Sequence, residues 1–368
     1  MATIQTGRLG PGERALIEGI RRRCQPHSAL LQLGIGDDCA LVRPPAGREI
    51  AVTTDFTLEA IHFRRDWHPP ESVGHRCLAR GLSDLAAMGA QPLAAFLSLA
   101  APPELTLSDR LGKSWVDRFL DGLLTLAAEW KVPLAGGDTA QSPVPSIARH
   151  DRQGPGNQGL VAADIVVLGS VARGRALRRS GARAEDILCV TGALGGAAAE
   201  LLALERDPRS FRKRVLAVSP HLYPVPRIGV GRTLVAKRLA TAAIDVSDGL
   251  STDLRHLCDE SALAAELDAA SIPVHPLAEA AAWAGREGFS PGLALQLALH
   301  GGEDYELLFT VPRGKRIPAK VAGIPVHAIG RMKRKRRGAP LVELLDSTGK
   351  KTTRIPLEPG GWQHFSQG

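Results

Sequence analysis

The chain predicts a two-domain α/β or α+β protein, and three observations carry that expectation. Runs rich in Val, Ile, Leu and Thr alternate with helical apolar periods along most of the sequence. Its 368 residues are enough for two separate cores. A polar stretch, HDRQGPGNQG (150–159), interrupts the alternation as an extended surface loop would. The expected division is 1–160 and 161–368.

Gly10-Pro11-Gly12-Glu13, followed by Leu16, Ile17 and Ile20, reads as a turn and then an amphipathic helix. EIAVTTDFTL (49–58) is an expected strand, and SVGHRCLARGLSDLAAMG (72–89) an expected helix. In the apolar run 85–101, Gln91-Pro92 separates a helix end from the strand LAAFLSLAAP, so the run is not read as a membrane span. The next helix, 115–131, keeps Val116, Phe119, Leu120, Leu123 and Leu124 on one side and turns Asp117, Asp121 and Glu129 outward. VPLAGGDTA (132–140) is a strand running into a loop. The second half reads as strands at 163–172, 186–192, 242–249 and 305–311, with helices at 195–205 and 251–261.

Composition narrows the class. The chain is 44% hydrophobic, 23% charged and only 4% aromatic, with 39 Gly, which suits a globular protein packed by close backbone approach. The N-terminus has no apolar signal core. Five scattered cysteines without a CxxC pair predict reduced thiols, a cytoplasmic protein and no zinc site. The formal charge of +8 is partly concentrated in Arg331-Met-Lys-Arg-Lys-Arg-Arg337. No aromatic interleaving or recognition motif accompanies that run, so it is read as a solvated surface loop; nucleic-acid binding is the competing reading.

The chemistry lies in the placement of aspartates. Asp37 and Asp38 follow Gly-Ile-Gly, Asp55 closes AVTTD, and Asp138 follows Leu-Ala-Gly-Gly. Asp84 falls mid-helix on a small-residue face, and Asp245 and Asp248 bracket Val-Ser. Any one of these suits a turn or a helix cap, and Asp248 is placed to cap the helix near Ser251. That account does not suit Asp84, nor the recurrence of acids with Gly, Ser and Thr neighbours at strand ends. Magnesium does: it takes oxygen ligands and is shared between carboxylates and substrate phosphates. So many acids imply several ions and a phosphoryl-transfer site.

Other nucleotide motifs fail. Gly34-x-Gly36 would need its third glycine at Cys39, and Gly112-Lys113-Ser114 lacks the upstream P-loop glycine, where Leu107 stands. No HRD or DFG set is present. Phosphates are then met by metal, by backbone at Gly136-Gly137 and by a cation such as Arg179.

GIGDDCALV, TTDFTLEAIHF, RGLSDLAAMGAQP, LAGGDT, AIDVSDGLSTDL, GGEDYELLFT and the closing GWQHF together resemble the thiamine-monophosphate kinase family. They run in the family's order from residue 34 to residue 365. GIGDD, GGDT and DxSDG with GGEDYELL are shared with the wider aminoimidazole ribonucleotide synthetase superfamily. The resemblance implies direct, ATP-dependent conversion of thiamine phosphate to thiamine diphosphate. It implies a homodimer whose N-terminal halves pair their sheets across a two-fold axis, each with a C-terminal α/β domain. Carried over by position, Asp37, Thr53, Thr54, Asp55, Asp84, Asp138, Asp245 and Asp248 are magnesium ligands, with Asp55, Asp84 and Asp138 catalytic. Gly137, Asp138, Arg179 and Ser247 meet ATP, and His62, Glu303 and Trp362 hold thiamine phosphate.

The chain departs from the pattern in places. Ala60 in LEAIHF stands where the family's EGVHF has glycine, which is expected to shift His62. Ala140-Gln141 replaces a frequent Thr-Arg pair, and the segment 141–159 is longer than usual. Another ATP-using enzyme of the superfamily is the alternative reading, although it would not need the His-Phe and Gly-Trp-x-His-Phe elements.

Overall fold

A computed structural model describes residues 12–24, 29–110, 112–143, 159–208, 219–283, 290, 292–348, 351–362 and 365. The described residues of Met1–Ala46, Val52–Gly81 and Pro92–Gly169 form one compact unit. Those of Gly47–Ala51, Leu82–Gln91 and Ser170–Gly368 form a second. Most of the segment 141–159 lies outside the described residues.

Along the chain come α1 (Gly12–Arg23), β1 (Leu31–Leu33), β2 (Leu41–Val42) and β3 (Arg48–Leu58). Next are α2 (Pro70–Ala87), β4 (Gln91–Ala101), α3 (Trp115–Trp130), β5 (Leu134–Gln141) and β6 (Ala162–Ala172). A four-stranded sheet has the order β3-β6-β4-β5, with β4 and β5 parallel. Pro92 is tolerated at the start of β4, as expected for a residue without an N–H.

Helix α3 begins with a capping box: Ser114 Oγ accepts from Asp117 N, and the Asp117 carboxylate accepts from Ser114 N. The Gly-Lys-Ser tail there is therefore a helix start. Its Val116, Phe119, Leu120, Leu123 and Leu126 are buried. Glycine lets α2 and α3 approach closely: a Cβ on Gly74 would stand 1.8 Å from Phe119 O, and one on Gly122 would stand 1.8 Å from Glu71 O. Even alanine is excluded at both positions.

Further along lie β7 (Ile187–Thr191), α4 (Gly196–Arg206), α5 (Ile228–Ala236), β8 (Ala242–Asp245), α6 (Leu250–Glu260) and β9 (Leu263–Asp268). They are followed by α7 (Pro276–Trp283), α8 (Leu293–His300), β10 (Leu307–Val311), β11 (Lys320–Val321), β12 (Ile324–Arg334), β13 (Val342–Thr348) and β14 (Lys351–Pro356). The second unit's sheet has the order β14-β13-β9-β12-β7-β10-β8, with β11 beside β12. It is mixed: β13 runs parallel to β9, while β10 is antiparallel to both β7 and β8. Leu188, Val190, Ile244, Leu254, Leu257, Leu308, Ile329 and Met332 fill its core. In this arrangement β8 delivers Asp245 to the start of a loop that runs straight into α6.

Two expectations need correction. The basic run is a loop only from Lys335 on: Arg331–Arg334 finish strand β12, with Met332 fully buried among them. Arg331 pairs with Glu266, Lys333 with Glu185 and Lys335 with Asp259, so local acids already neutralise much of that face. Asp248 does not cap α6: the N-cap is Gly249 with φ 113°, and no side chain caps the helix. Among the described residues, no helix is long and apolar enough to cross a membrane.

Candidate active site

In the first unit, the Gly34-x-Gly36 loop and the Gly136-Gly137-Asp138 stretch of β5 come together. Ile35, Gly136, Gly137, Asp138 and Thr139 help line one recess of about 90 Å³. Gly137 sits at φ 147°, and a Cβ there would lie 1.8 Å from Leu97 O on the neighbouring β4, so the site requires glycine. Asp37 and Asp138 are both exposed. Each accepts the N–H of its own successor, Asp38 or Thr139, at 2.8 Å, which leaves carboxylate capacity facing solvent.

Strand β3 carries Thr53, Thr54 and Asp55 on the opposite edge of the sheet from β5. Three inter-strand steps along the sheet amount to about 14 Å. Within one copy of the unit, Asp55 and Asp138 are therefore not brought together. Strand alternation puts Thr54 on the other face from Asp55, and the Thr54 hydroxyl donates to Asp164 Oδ1 on β6 at 2.6 Å. Asp55 itself faces the Arg80 guanidinium, 3.3 Å away.

His62 lies in the turn after β3. Leu58 N donates to its Nδ1 at 3.0 Å, so the proton resides on Nε2, where it can be given to an anionic oxygen. The same turn holds Ala60 at φ 70°, the left-handed region. The turn closes as a glycine would close it, by Ala60 N to Phe63 O at 2.8 Å and His62 N to Leu58 O at 2.8 Å. The substitution is accommodated by backbone strain at residue 60.

The second unit gathers Asp245, Ser247, Asp248, Glu303 and Trp362 around one loop. Asp245 is buried, 4% exposed, and accepts a 2.6 Å hydrogen bond from the fully buried Ser83 hydroxyl, next to Asp84 on α2. The following turn is organised by Asp253. One of its oxygens accepts the backbone N–H groups of Ser247, Asp248 and Gly249 at 3.0–3.1 Å. Burial pushes the Asp253 carboxyl well above the ordinary range, with the Asp245 and Asp248 charges adding to the rise. The backbone N–H bonds from Asp248 and Ser247 pull it back down.

Glu303 and Trp362 dock on that loop from two directions. Glu303, at φ 66°, donates its N–H to Ser247 O at 2.7 Å. Trp362 N donates to Asp248 O at 3.2 Å, and the indole is 54% exposed. The tail is seated by Gly360 N on Ser251 Oγ and Gly361 N on Thr252 Oγ1, both at 3.2 Å. A Cβ on Gly361 would meet Asp248 O at 1.8 Å. Backbone bonds thus fasten an aromatic residue and a carboxylate to one loop, residue types that suit an aromatic cation.

Arg179 is placed elsewhere in this unit. Its carbonyl accepts from Ser261 Oγ just beyond the end of α6, whereas Ser247 precedes the start of that helix. Eleven helical residues between them span about 16 Å, so the two expected ATP contacts are not brought together.

Several residues that shape these sites were not expected: Arg80, Asp164, Asp253, Asp304 and His221. Arg80, one helical turn before Asp84, Asp253 in AIDVSDGLSTDL and Asp304 in GGEDYELLFT lay within quoted motifs, whereas Asp164 and His221 carried no signal. Asp304 accepts from Gly195 N at 2.7 Å and Ala197 N at 3.2 Å, and burial pushes its carboxyl up to about 7.

The donor set suits magnesium in kind: hard carboxylate and hydroxyl oxygens, with exposed acids at Asp37 and Asp138. It is not a preassembled cage. No group of three His, Cys, Asp or Glu side chains stands ready to hold an ion among the described residues. Within the first unit, Asp55 and Asp138 lie on opposite edges of the sheet. This fits an ion that keeps its waters and takes one or two carboxylates plus phosphate oxygens.

Comparison with known proteins identifies the family. Residues 36–153 match the model of the AIR synthase related protein, N-terminal domain, which places the fold in that superfamily. Thiamine-monophosphate kinase of Escherichia coli (strain K12) is 37% identical over 327 residues, covering 87% of this chain and 90% of that protein. The chain belongs to the thiamine-monophosphate kinase family. The crystal structure of thiamine-monophosphate kinase from Stenotrophomonas maltophilia K279a superposes with a TM-score of 0.72 at 33% identity, covering 90% of this chain and 96% of that one. A structure of AaThiL complexed with AMPPCP and TMP superposes with a TM-score of 0.67 at 27% identity, covering 99% of this chain and 100% of that one.

Proposed function

We propose that the chain transfers the γ-phosphoryl group of ATP directly to thiamine monophosphate, giving thiamine diphosphate and ADP. Its relatives carry that activity in their name, and the AaThiL complex pairs a nucleotide analogue with TMP. Among this chain's own features, the reading is carried best by the loop Ser247–Gly249, to which both Glu303 and Trp362 are fastened. An acceptor-phosphate oxygen attacks the γ-phosphorus, and the bond to the β-phosphate oxygen breaks as ADP leaves.

In this reading Trp362 and Glu303 hold the thiazolium cation, and the His62 Nε2–H donates to the acceptor phosphate. Gly137, Asp138, Arg179 and Ser247 meet ATP, with Arg179 on a different part of the nucleotide from Ser247. Asp37, Thr53, Thr54, Asp55, Asp84, Asp138, Asp245 and Asp248 would hold magnesium, and Asp55, Asp84 and Asp138 are the ones whose loss stops transfer. Thr54 would serve through its carbonyl, since its hydroxyl is bonded to Asp164. Magnesium, when bound, neutralises phosphate oxygens. Residues 1–160 are assigned nucleotide binding and dimerisation, and 161–368 the completion of the site.

A homodimer is supported by edge strand β3, which leaves Val52 64% and Phe56 61% exposed on one face. A cytoplasmic setting fits five unpaired cysteines, three of them buried. Product analysis tests the reading. ATP with thiamine monophosphate should yield ADP and thiamine diphosphate in equal amounts. ADP release only with a formylglycinamidine ribonucleotide substrate would favour the alternative enzyme class.

A further inference from the structure

We infer that His221 is a positioning residue for Glu303, fixing the carboxylate that meets the cationic end of thiamine monophosphate. The inference rests on the proposed role of Glu303. His221 is 1% exposed, and its Nδ1 stands 3.0 Å from Glu303 Oε2. The pair stands within ion-pair distance without the alignment of a full hydrogen bond. Polar contacts of this kind commonly straighten when substrate arrives.

The main chain that carries the imidazole is itself held by a buried carboxylate. Glu200, 1% exposed on α4, accepts from His221 N at 2.7 Å through Oε2, and from the Ser219 hydroxyl through Oε1. Glu200 thus clasps the backbone of residues 219–221 and leaves the His221 ring against Glu303. On the other side, the Glu303 backbone is locked at φ 66° by its N–H to Ser247 O, and Tyr305 N is bound to Val246 O at 2.9 Å. Main chain and side chain of Glu303 are therefore fixed by different elements. About a quarter of its side chain, 23%, stays accessible for a ligand.

Stability alone is a poor reason for this arrangement. Burying the Glu200 carboxylate and the His221 imidazole is costly, and apolar side chains of the same volume would pack at least as well. An ionised carboxylate has two acceptor oxygens, and occupying one with an imidazole N–H orients the other toward a cation. Such support acts on substrate affinity by removing reorganisation, not on the phosphoryl-transfer step.

Steady-state kinetics on the full chain, varying thiamine monophosphate and ATP separately, test the inference. His221→Leu should raise KM for thiamine monophosphate about tenfold, with kcat and the ATP KM within about twofold. His221→Asn, whose amide nitrogen lies near the place of Nδ1, should come back to within about threefold of wild type, whereas His221→Gln should not. Glu303→Gln should raise the same KM at least as much, and His221→Leu added to it should cost nothing further, since the two act as one unit. Thermal melts accompany each variant. If His221→Leu fails to fold, the Asn and Gln pair decides.

A raised KM in Glu303→Gln with wild-type values in both His221→Leu and His221→Gln would overturn the inference. So would an equal rise in both KM values, which marks a merely structural role. A wild-type KM in Glu303→Gln would instead remove the substrate role of Glu303 on which the inference stands.

Discussion

Asp138 and Asp253 are the same side chain in opposite settings. Asp138, on the first unit's edge strand β5, is exposed and accepts one N–H from its own successor. Asp253, in the second unit, is 2% exposed and gathers three N–H groups that fold the Ser247–Gly249 turn. The contrast extends outward, with Asp37 exposed in the first unit and Asp245 and Asp304 tied to Ser83 and to Gly195 and Ala197 in the second. In the first unit, Asp37 and Asp138 keep carboxylate oxygens open to solvent. The second spends them on building loops that present Glu303 and Trp362. Removing the charge of Asp138 should therefore damage turnover, and removing a buried, loop-building charge of the second unit should damage stability.

The largest effect is expected where a charge is buried. Arg227 holds Glu306, which is 4% exposed, through two bonds at 2.8 and 2.5 Å, and the Thr191 hydroxyl completes the set. Arg227→Met should cost about 3–5 kcal/mol in chemical denaturation by leaving that carboxylate unpaired. A loss under 1 kcal/mol would break the comparison on the second-unit side.

Asp138→Asn should do the reverse. Stability should stay within about 0.5 kcal/mol, because the side chain is exposed. The kcat for thiamine diphosphate formation should fall about a hundredfold or more. Wild-type turnover would remove the metal role assigned to the first unit's acids.

Asp304 sharpens the contrast through pH. Its folded-state carboxyl sits at about 7, against an ordinary value of 3.8. A raised carboxyl contributes stability that is full below the unfolded value and is lost as pH rises through the folded one. Melting of Asp304→Asn relative to wild type should shift in the variant's favour from about pH 4 to about pH 7, then level off. A pH-independent difference would refute the buried-charge account.

The smallest effect belongs to Ala60. At φ 70° an L-residue is strained by roughly 1–2 kcal/mol, and glycine's extra freedom in the unfolded chain gives part of that back. Ala60→Gly should stabilise the protein by about 0.5–1 kcal/mol in equilibrium denaturation, with the thiamine-monophosphate KM unchanged because the His62 turn is already closed.

What the sequence disclosed and what it withheld divide along similar lines. The strands bearing Asp55 and Asp138 and the helix bearing Asp84 were readable, because each is written in a local hydrophobic period. The Gly-Trp near the C-terminus and the Ser247 loop were marked by their motifs. Partners across elements were not readable. Arg80 against Asp55, Thr54 against Asp164 and His221 against Glu303 depend on which strand or loop lies beside which. Nor did spacing reveal that β3 and β5 are opposite edges of one sheet. The basic run misled for a simpler reason: Met332, its one apolar residue, is what seats it in β12.

The most direct test of the account follows thiamine diphosphate formation from ATP and thiamine monophosphate as magnesium is titrated from a chelated start. The account predicts no product without the divalent ion, a saturable rise with it, and a shift of that rise to higher magnesium in Asp138→Asn. Turnover that proceeds equally in the presence of a chelator, or a curve that Asp138→Asn leaves in place, would contradict it.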